Sequence, residues 1–461
     1  MEVRDLKFIC SACEGRLLCG PESTAVGRVC TDSRQAQPGD LFIALAGDHF
    51  DGHDFLSEVA AKGVAALLID RHKVPKALPH CAVVAVENTR QALGKIAARY
   101  RQDFRLPIVA VGGSNGKTTT KELVASVLRQ KLPTLWSDAS FNNDIGVPLT
   151  LLRLEASHQV AVMEVGTNHP GELAPLLHLI QPKLGVITSI GREHLEFFGD
   201  VAGVAEEEGW LAELLPEEGM LFVDGDSEWT PRLRQRARCK VVCLGLSEAN
   251  AWRARAIRLD SQGASFRVEA PWAEYSGPYR IALLGKHQVI NALFAIALGV
   301  ELGLNRAEIE LGLAECQPPR MRLQLRDLNG VRLLDDAYNA NADSMLAALQ
   351  TLQDLPCKGR RVAVLGDMAE LGPQTEAAHE EIGRRTAELG VGQLFAVGKM
   401  APVTARAARS AGLNRVLEFA DVESAAAAVK SFVRTGDVLL LKASRAARLE
   451  RIADVLQSAK T

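Results

Sequence analysis

Pro107-Ile-Val-Ala-Val-Gly-Gly-Ser-Asn-Gly-Lys-Thr-Thr-Thr120 is the stretch on which the reading of the fold turns. Its opening residues are almost wholly apolar and rich in valine and isoleucine, which suits a central strand of a parallel sheet covered on both faces. Beyond the loop, Leu123, Val124, Val127 and Leu128 place apolar side chains on one face of a helix. Strand, glycine-rich loop and helix start are what a phosphate cradle requires. Glycines let backbone N–H groups turn inward, and the helix N-terminus adds positive potential. Lys117 can bridge phosphate oxygens, and a threonine hydroxyl can ligate Mg²⁺. The loop departs from the common G-x-x-x-x-G-K-T pattern, because its first glycine would fall on Val111.

Working outward, residues 1–106 hold short apolar strands (Val64 to Ile69, Ala82 to Val86) among helical stretches such as Gln91 to Tyr100. They predict a small α/β domain. After the loop, Val160 to Val165, Leu184 to Ile190 and Met220 to Val223 read as further buried strands of repeated βα units. From Ala254 to Leu284 the alternation turns antiparallel in style, and Gln288 to Leu302 reads as a helix. Gln317-Pro-Pro319 stiffens the chain and stops a helix, so a second boundary is expected there. Arg361 to Leu365, Gln393 to Val397 and Val438 to Leu441 then predict a third α/β domain. The expected fold is therefore α/β in three domains, 1–106, 107–317 and 318–461. A central P-loop-type parallel sheet domain is flanked by a small N-terminal α/β domain and a Rossmann-like C-terminal one.

A chain of 461 residues agrees with about three domains at roughly 100–200 residues each. With 47% apolar and 24% charged residues, disorder and fibrous repeats are excluded. Fifty-three Lys and Arg against 56 Asp and Glu leave a net charge of -3, so no global basic field favours nucleic acid. No apolar run has the length of a membrane helix, and the opening MEVRDLKFICSACEG carries charges where a signal peptide is apolar. A cytoplasmic, non-membrane protein is expected. Nine cysteines, an odd number in a long chain, predict that most are buried free thiols. Cys10 and Cys13 have C-x-x-C spacing, but they share a helix face with Leu6, Ile9 and Leu17, and no second pair completes a zinc set.

A phosphate site needs acidic partners at strand ends. Glu164 follows Val160-Ala-Val-Met163, with Gly166 nearby for close approach of a ligand, and His194 follows the next strand through Gly191-Arg-Glu. Alone, each is as well read as a solvated charge or a satisfied loop histidine; beside Lys117 they form a candidate Mg²⁺ set. Gly285-Lys-His287 precedes a helix bearing Asn291. Asp335-Asp-Ala-Tyr-Asn-Ala-Asn341 follows another strand, and reads equally as a ligand loop or as an Asx-rich turn capping the helix from Ser344. The residues by themselves stop at a three-domain nucleoside-triphosphate enzyme of undetermined reaction.

The ordered motifs together resemble the Mur ligase family over nearly the whole chain. They are Thr31-Asp-Ser-Arg34, Pro38 to Ala44, Gly47 to His53, the Gly113 to Thr120 loop, Asn142 to Pro148, Glu164 to Asn168 and Ser189 to His194. The C-terminal half adds Gly285 to Asn291, Asp335 to Ser344, Val364 to Met368 and Lys442 to Arg445. The resemblance implies an ADP-forming, ATP- and Mg²⁺-dependent amide ligase of peptidoglycan precursor synthesis. Its reaction passes through an acyl phosphate and a tetrahedral intermediate. The run Asp335 to Ser344 is most similar to members that join D-alanyl-D-alanine to UDP-N-acetylmuramoyl-tripeptide, acting as monomers. Two other readings stay open: a member adding a single amino acid, whose Asp-Asn-Pro-Arg is absent here, and a nucleotide-binding paralogue without ligase activity. Whether the tripeptide ends in diaminopimelate or lysine is left open.

By the same resemblance, Gly113, Ser114, Asn115, Gly116, Lys117, Thr118 and Thr119 cradle ATP, with Lys117 on the β- and γ-phosphates. Asn291 meets the adenine, Arg320 the phosphates and Asp336 the ribose. Thr118 and Glu164 hold one Mg²⁺, and His194 helps hold a second. Ser33, Arg34 and the Gly47 to His53 loop face the uridine end, and Asn142 and Asn143 the muramoyl peptide. Lys442, Ser444 and Arg445 meet the dipeptide. Ala443 and Ala342 replace a common glycine and proline. In Gly203-Val-Ala-Glu-Glu-Glu-Gly209, Glu208 takes the position of a carbamylated lysine that supports the second Mg²⁺. A glutamate there is expected to serve with its own carboxylate, unless residues 206–208 are one solvated charge run.

Overall fold

The structure, a computed structural model, describes residues 1–47, 50–77 and 80–457. Asp48 and His49 of the candidate uridine loop lie outside the described residues. The chain forms two compact units, Met1–Val111 with Leu132–Thr167 and Glu172–Gly185, and Gly112–Lys131 with Asn168–Gly171 and Val186–Thr461.

In the first unit, a five-stranded sheet runs Arg16–Cys19, Ala82–Val86, Ala66–Asp70, Asp40–Ile43, Arg28–Cys30, parallel except at the first pair. Ala82–Val86 is buried at all five positions, as a parallel strand covered on both faces demands. The helix Thr89–Arg101 starts at Asn88, whose side chain accepts from Gln91 N at 2.9 Å. Ile108–Gly112 pairs in parallel with Val160–Glu164, and that strand with Thr134–Trp136.

In the second unit, Met220–Asp224, Lys240–Gly245 and Trp252–Asp260 pair in parallel. The antiparallel style expected after Ala254 is found in Trp252–Asp260, Gly263–Glu269 and Gly277–Ile281. The expected helix spans His287–Glu301. The C-terminal sheet runs Gln324–Leu328, Val331–Asp335, Val438–Lys442, Arg361–Gly366, Gln393–Val397, Val416–Phe419, antiparallel at the first pair alone. The pleat sends Leu334, Ala363 and Leu440 to one core, and Leu333, Val364 and Leu439 to another. Two covered faces explain why these strands read as continuous apolar runs.

The N-terminal helix differs from expectation. It ends at Cys13, because Glu14 is left-handed (φ 57°) and caps it, and Leu17 lies on the following strand. All nine cysteines are free, but only Cys13, Cys30, Cys239 and Cys316 are buried; the other five are half-buried. Burial pushes the Cys13 thiol up to about 11, and its Sγ donates to Ile9 O at 3.0 Å, so this sulfur is an inert packing atom. Among the described residues no helix is long and apolar enough to cross a membrane.

Candidate active site

The loop that opens the second unit is shaped by two glycines in positive φ. Gly113 (φ 106°) and Gly116 (φ 89°) leave no room for a side chain, since an added Cβ would lie 2.5 Å from Thr188 Oγ1 and 2.8 Å from Asn291 Oδ1 respectively. Gly116 hands over directly to the helix Lys117–Leu128. That helix is buried on nearly every side rather than along one stripe, for Thr118, Thr119 and Thr120 are buried as well. The loop is stitched to the end of the neighbouring strand. Ser114 N donates to Ser189 O at 2.8 Å, Asn115 N to Ser189 Oγ at 3.0 Å and Gly191 N to Ser114 Oγ at 2.8 Å.

Lys117 Nζ donates to Gly113 O at 2.5 Å and Ser114 O at 3.3 Å, and pairs with Glu193 Oε2 at 3.2 Å. Sequence reasoning passed over Glu193; its place next to His194 was the one available signal. Glu208, on the helix Val201–Leu214, is 1% exposed and accepts from Gly113 N at 2.8 Å. Glu207 is also buried, and accepts from Gly171 N at 2.8 Å. Glu206 is more than half exposed and pairs with Arg232 and Arg236. The run is therefore not one solvated face.

Burial pushes the Glu208 carboxyl up to about 8, with the Lys117 charge opposing and Glu193 reinforcing the shift. Unfolded, the group loses its proton near its ordinary 4.5; folded, it keeps it to about 8. The folded chain holds the extra proton across that window, so this contribution to stability is lost as pH rises through it. Thermal midpoints recorded in metal-free buffer between those two pH values should fall less steeply in Glu208→Gln than in the native chain. Equal slopes would contradict the assignment.

His194 sits in the left-handed region (φ 48°), and its Nδ1 meets Glu370 Oε2 at 2.5 Å. Glu370 is itself left-handed (φ 60°), and this carboxylate was not foreseen. A carboxylate on one ring nitrogen orients the other toward a ligand. Asn291 lies against Gly116 and donates from Nδ2 to Gln288 Oε1 at 2.8 Å. Asp336 accepts from Leu323 N at 3.1 Å and pairs with Lys442 Nζ at 2.5 Å, so candidate ribose and dipeptide residues meet each other. Lys442 is 2% exposed. Burial holds His287, which senses both charges, down to about 4 and therefore neutral. Ser444 is consumed by Ala369 N at 2.7 Å and Ala340 O at 3.3 Å. Arg320 and Arg445 are exposed, Arg445 pairing with Glu450 at 3.0 Å. Ala443 packs on Gly366, where even a Cβ would approach to 2.7 Å; the missing side chain across the strand makes room for the alanine. Ala342 is the first residue of its helix, the position where proline is favoured but not needed.

In the first unit, Glu164 is buried and accepts from Asn142 Nδ2 at 2.9 Å. Gly166 makes room for Asn142, whose Nδ2 lies 2.6 Å from where its Cβ would be. Asn143 Oδ1 caps the chain entering Gly146–Leu151 through Gly146 N at 2.9 Å. Ser33 O accepts from Lys62 Nζ at 2.8 Å. Arg34 is exposed and forks onto Asp32, holding that carboxyl down to about 2. His53 accepts from Asp70 N on Nε2 at 3.0 Å, so Nδ1 carries the proton it donates to Asp51 at 2.6 Å.

Among the described residues, the buried oxygens without a hydrogen-bond partner include Thr118 Oγ1 and Glu208 Oε1 in the second unit and Glu164 Oε2 in the first. A buried acceptor left unpaired costs about 1–3 kcal/mol, and oxygen donors are what a hard cation takes. Each of these oxygens therefore has the donor chemistry that Mg²⁺ takes. Among the described residues no three His, Cys, Asp or Glu form a metal cage; Mg²⁺ is commonly held by one or two carboxylates, with phosphates and water completing its shell.

A parallel strand, a glycine loop and a lysine at a buried helix start define a nucleotide-binding protein of the P-loop type. Three family models match in succession: the Mur ligase family catalytic domain over residues 26–101, the Mur ligase middle domain over 111–299 and the Mur ligase glutamate ligase domain over 320–445. The chain belongs to the Mur ligase family. It is 37% identical over 434 residues to UDP-N-acetylmuramoyl-tripeptide–D-alanyl-D-alanine ligase of Escherichia coli K12, with 93% of each chain covered. Its fold is similar to a crystal structure of MurF from Acinetobacter baumannii (TM-score 0.90, 32% identity, 99% of both chains). It is also similar to MurF of Thermotoga maritima solved with ADP (TM-score 0.80, 26% identity, 94% and 97% of the chains). The three-domain α/β architecture expected from the sequence is that of these relatives.

Proposed function

We propose that the chain joins D-alanyl-D-alanine to UDP-N-acetylmuramoyl-tripeptide, converting ATP to ADP and phosphate. The γ-phosphoryl group passes to the terminal carboxylate of the tripeptide, giving an acyl phosphate. The dipeptide amine attacks that carbonyl, a tetrahedral intermediate forms, and phosphate leaves as the amide bond closes. The observation that carries the reading is the Lys117 loop, with the orphaned oxygens of Thr118 and Glu208 in its unit, in a chain similar over nearly its full length to ligases of this name.

The protein's part is positioning and charge neutralisation. Lys117 exchanges its carbonyl and Glu193 contacts for the β- and γ-phosphates, while Gly113, Ser114, Asn115, Gly116 and Thr119 shape the cradle. Thr118 and Glu164 would hold one Mg²⁺, and His194 with Glu208 would support a second. When bound, Mg²⁺ offsets the phosphate charge that develops during transfer. Asn291, Arg320 and Asp336 take the nucleoside and phosphates; Asp336 reaches the ribose by releasing Lys442, which then turns with Arg445 toward the dipeptide, Ser444 holding the turn between them. Residues 1–106, with Ser33 and Arg34, take the uridine end; 107–317 bind ATP, with Asn142 and Asn143 toward the muramoyl peptide; 318–461 receive the acceptor. The protein acts as a cytoplasmic monomer.

Purified chain incubated with ATP, Mg²⁺, D-alanyl-D-alanine and UDP-muramoyl tripeptides ending in either diaminopimelate or lysine should yield a product heavier by one dipeptide, with ADP release that depends on the dipeptide. A product carrying one amino acid, or ADP release indifferent to the acceptor, would overturn the proposal.

A further inference from the structure

Arg192 and Asp343 come from stretches matched by two different domain models, the middle domain and the glutamate ligase domain, yet they meet through three contacts. Arg192 N donates to Asp343 Oδ2 at 2.7 Å, Nε donates to Oδ1 at 2.8 Å, and Nη2 lies 2.7 Å from Oδ1. The remaining arm, Nη1, donates to Glu381 Oε2 at 2.6 Å, on the helix Thr375–Glu388. One guanidinium thus grips two elements of the C-terminal half in a fork geometry that lysine cannot reproduce.

The grip reaches the phosphate loop through backbone. Residues 189–191, immediately before Arg192, hold Ser114 and Asn115 through the bonds already described, and Ser189 Oγ adds one to Asn115 O at 3.2 Å. Asn341, the cap of the helix that carries Asp343, donates from Nδ2 to Asn115 Oδ1 at 3.0 Å. Gly191 is part of the fit: a Cβ there would lie 2.6 Å from Asp343 Oδ2. Glycine at 191 lets the carboxylate reach the Arg192 amide.

We infer that Arg192 is a positioning residue which, gripped by Asp343 and Glu381, sets Ser114 and Asn115 of the phosphate loop only when the C-terminal half is seated. Phosphoryl transfer is thereby tied to the seating of the part that brings the acceptor. The kinetic side of this inference rests on the ligase reading; the mechanical side does not.

The test pairs kinetics with hydrogen exchange on the full chain. Arg192→Ala should lower kcat on the order of 10- to 100-fold, as misplaced reacting groups do. The KM for ATP should change by less than about threefold, because Lys117 and the loop amides remain. Asp343→Ala, a substitution in the C-terminal half, should raise amide exchange at residues 114–117, and the double variant should be no worse than either single one. Gly191→Ala and Arg192→Lys should follow in the same direction, and they carry the test if Arg192→Ala does not fold. Exchange at 114–117 unmoved by Asp343→Ala, or additive losses in the double variant, would overturn the inference. Absence of amide formation by the native chain, with exchange responding as described, would overturn the ligase reading alone.

Discussion

Lys117→Ala is expected to abolish amide formation in a chain that still folds. The ammonium lies at the start of a buried helix, held by the carbonyls of Gly113 and Ser114 and by Glu193. It is the group in this loop that can follow negative charge as it moves between phosphate oxygens. Removing one preorganised charge contact of this kind costs roughly 3–4 kcal/mol of transition-state stabilisation, a factor of 10²–10³ in kcat. Leaving Glu193 without this partner costs about 1–3 kcal/mol of folding free energy, which lowers the thermal midpoint without unfolding a chain of this size. Lys117→Arg should not rescue turnover, because the planar guanidinium is a fork and the site is built for a point charge. Single-turnover measurements of acyl-phosphate formation, with circular dichroism as the folding control, check this; kcat within a few-fold of native in a folded Lys117→Ala would refute it.

Glu208→Gln should lower kcat by at least about tenfold, as loss of a group that supports a metal does. Glu206→Gln should leave kcat almost unchanged. Two residues along a helix turn the side chain by about 200°. Glu206 therefore faces Arg232 and Arg236 at the surface, where such pairs contribute about 0–1 kcal/mol. Glu208 instead faces Gly113 N, with Oε1 unpartnered. A carbamylated lysine depends on CO₂, and a glutamate does not. Activity of the native chain should therefore survive removal of CO₂ and gain nothing from bicarbonate. Full activity in Glu208→Gln, or activity restored by bicarbonate, would decide against Glu208 as the replacement.

The sequence alone determined what is local. The run from Pro107 to Thr120 is legible because strand, turn and helix start are contiguous, and each obeys a rule of a few residues: apolar β-branched run, glycine at positive φ, buried helix face. The helix expected from Ser344 was only partly legible: it begins two residues earlier, at Ala342, because Asn341 is its cap and Ser344 closes the capping box. The ordered motifs from Thr31 to Arg445 made the family readable, since each is a short string whose order survives without knowledge of packing. Even locally the reading had limits, because the single left-handed residue Glu14 moved Leu17 from the expected helix to a strand.

Only the tertiary structure decided which charges meet. Lys117 finds Glu193 across 76 residues, His194 finds Glu370 across 176, and Arg192 finds Asp343 and Glu381 across 151 and 189. No periodicity relates such pairs. Among three consecutive glutamates the composition is silent, yet packing exposes Glu206 and buries Glu208. The physical reason is that helix and turn rules act over a few residues of chain. Desolvation and ion pairing depend on what lies within a few ångströms in space, and that neighbourhood is set when the whole sheet is assembled.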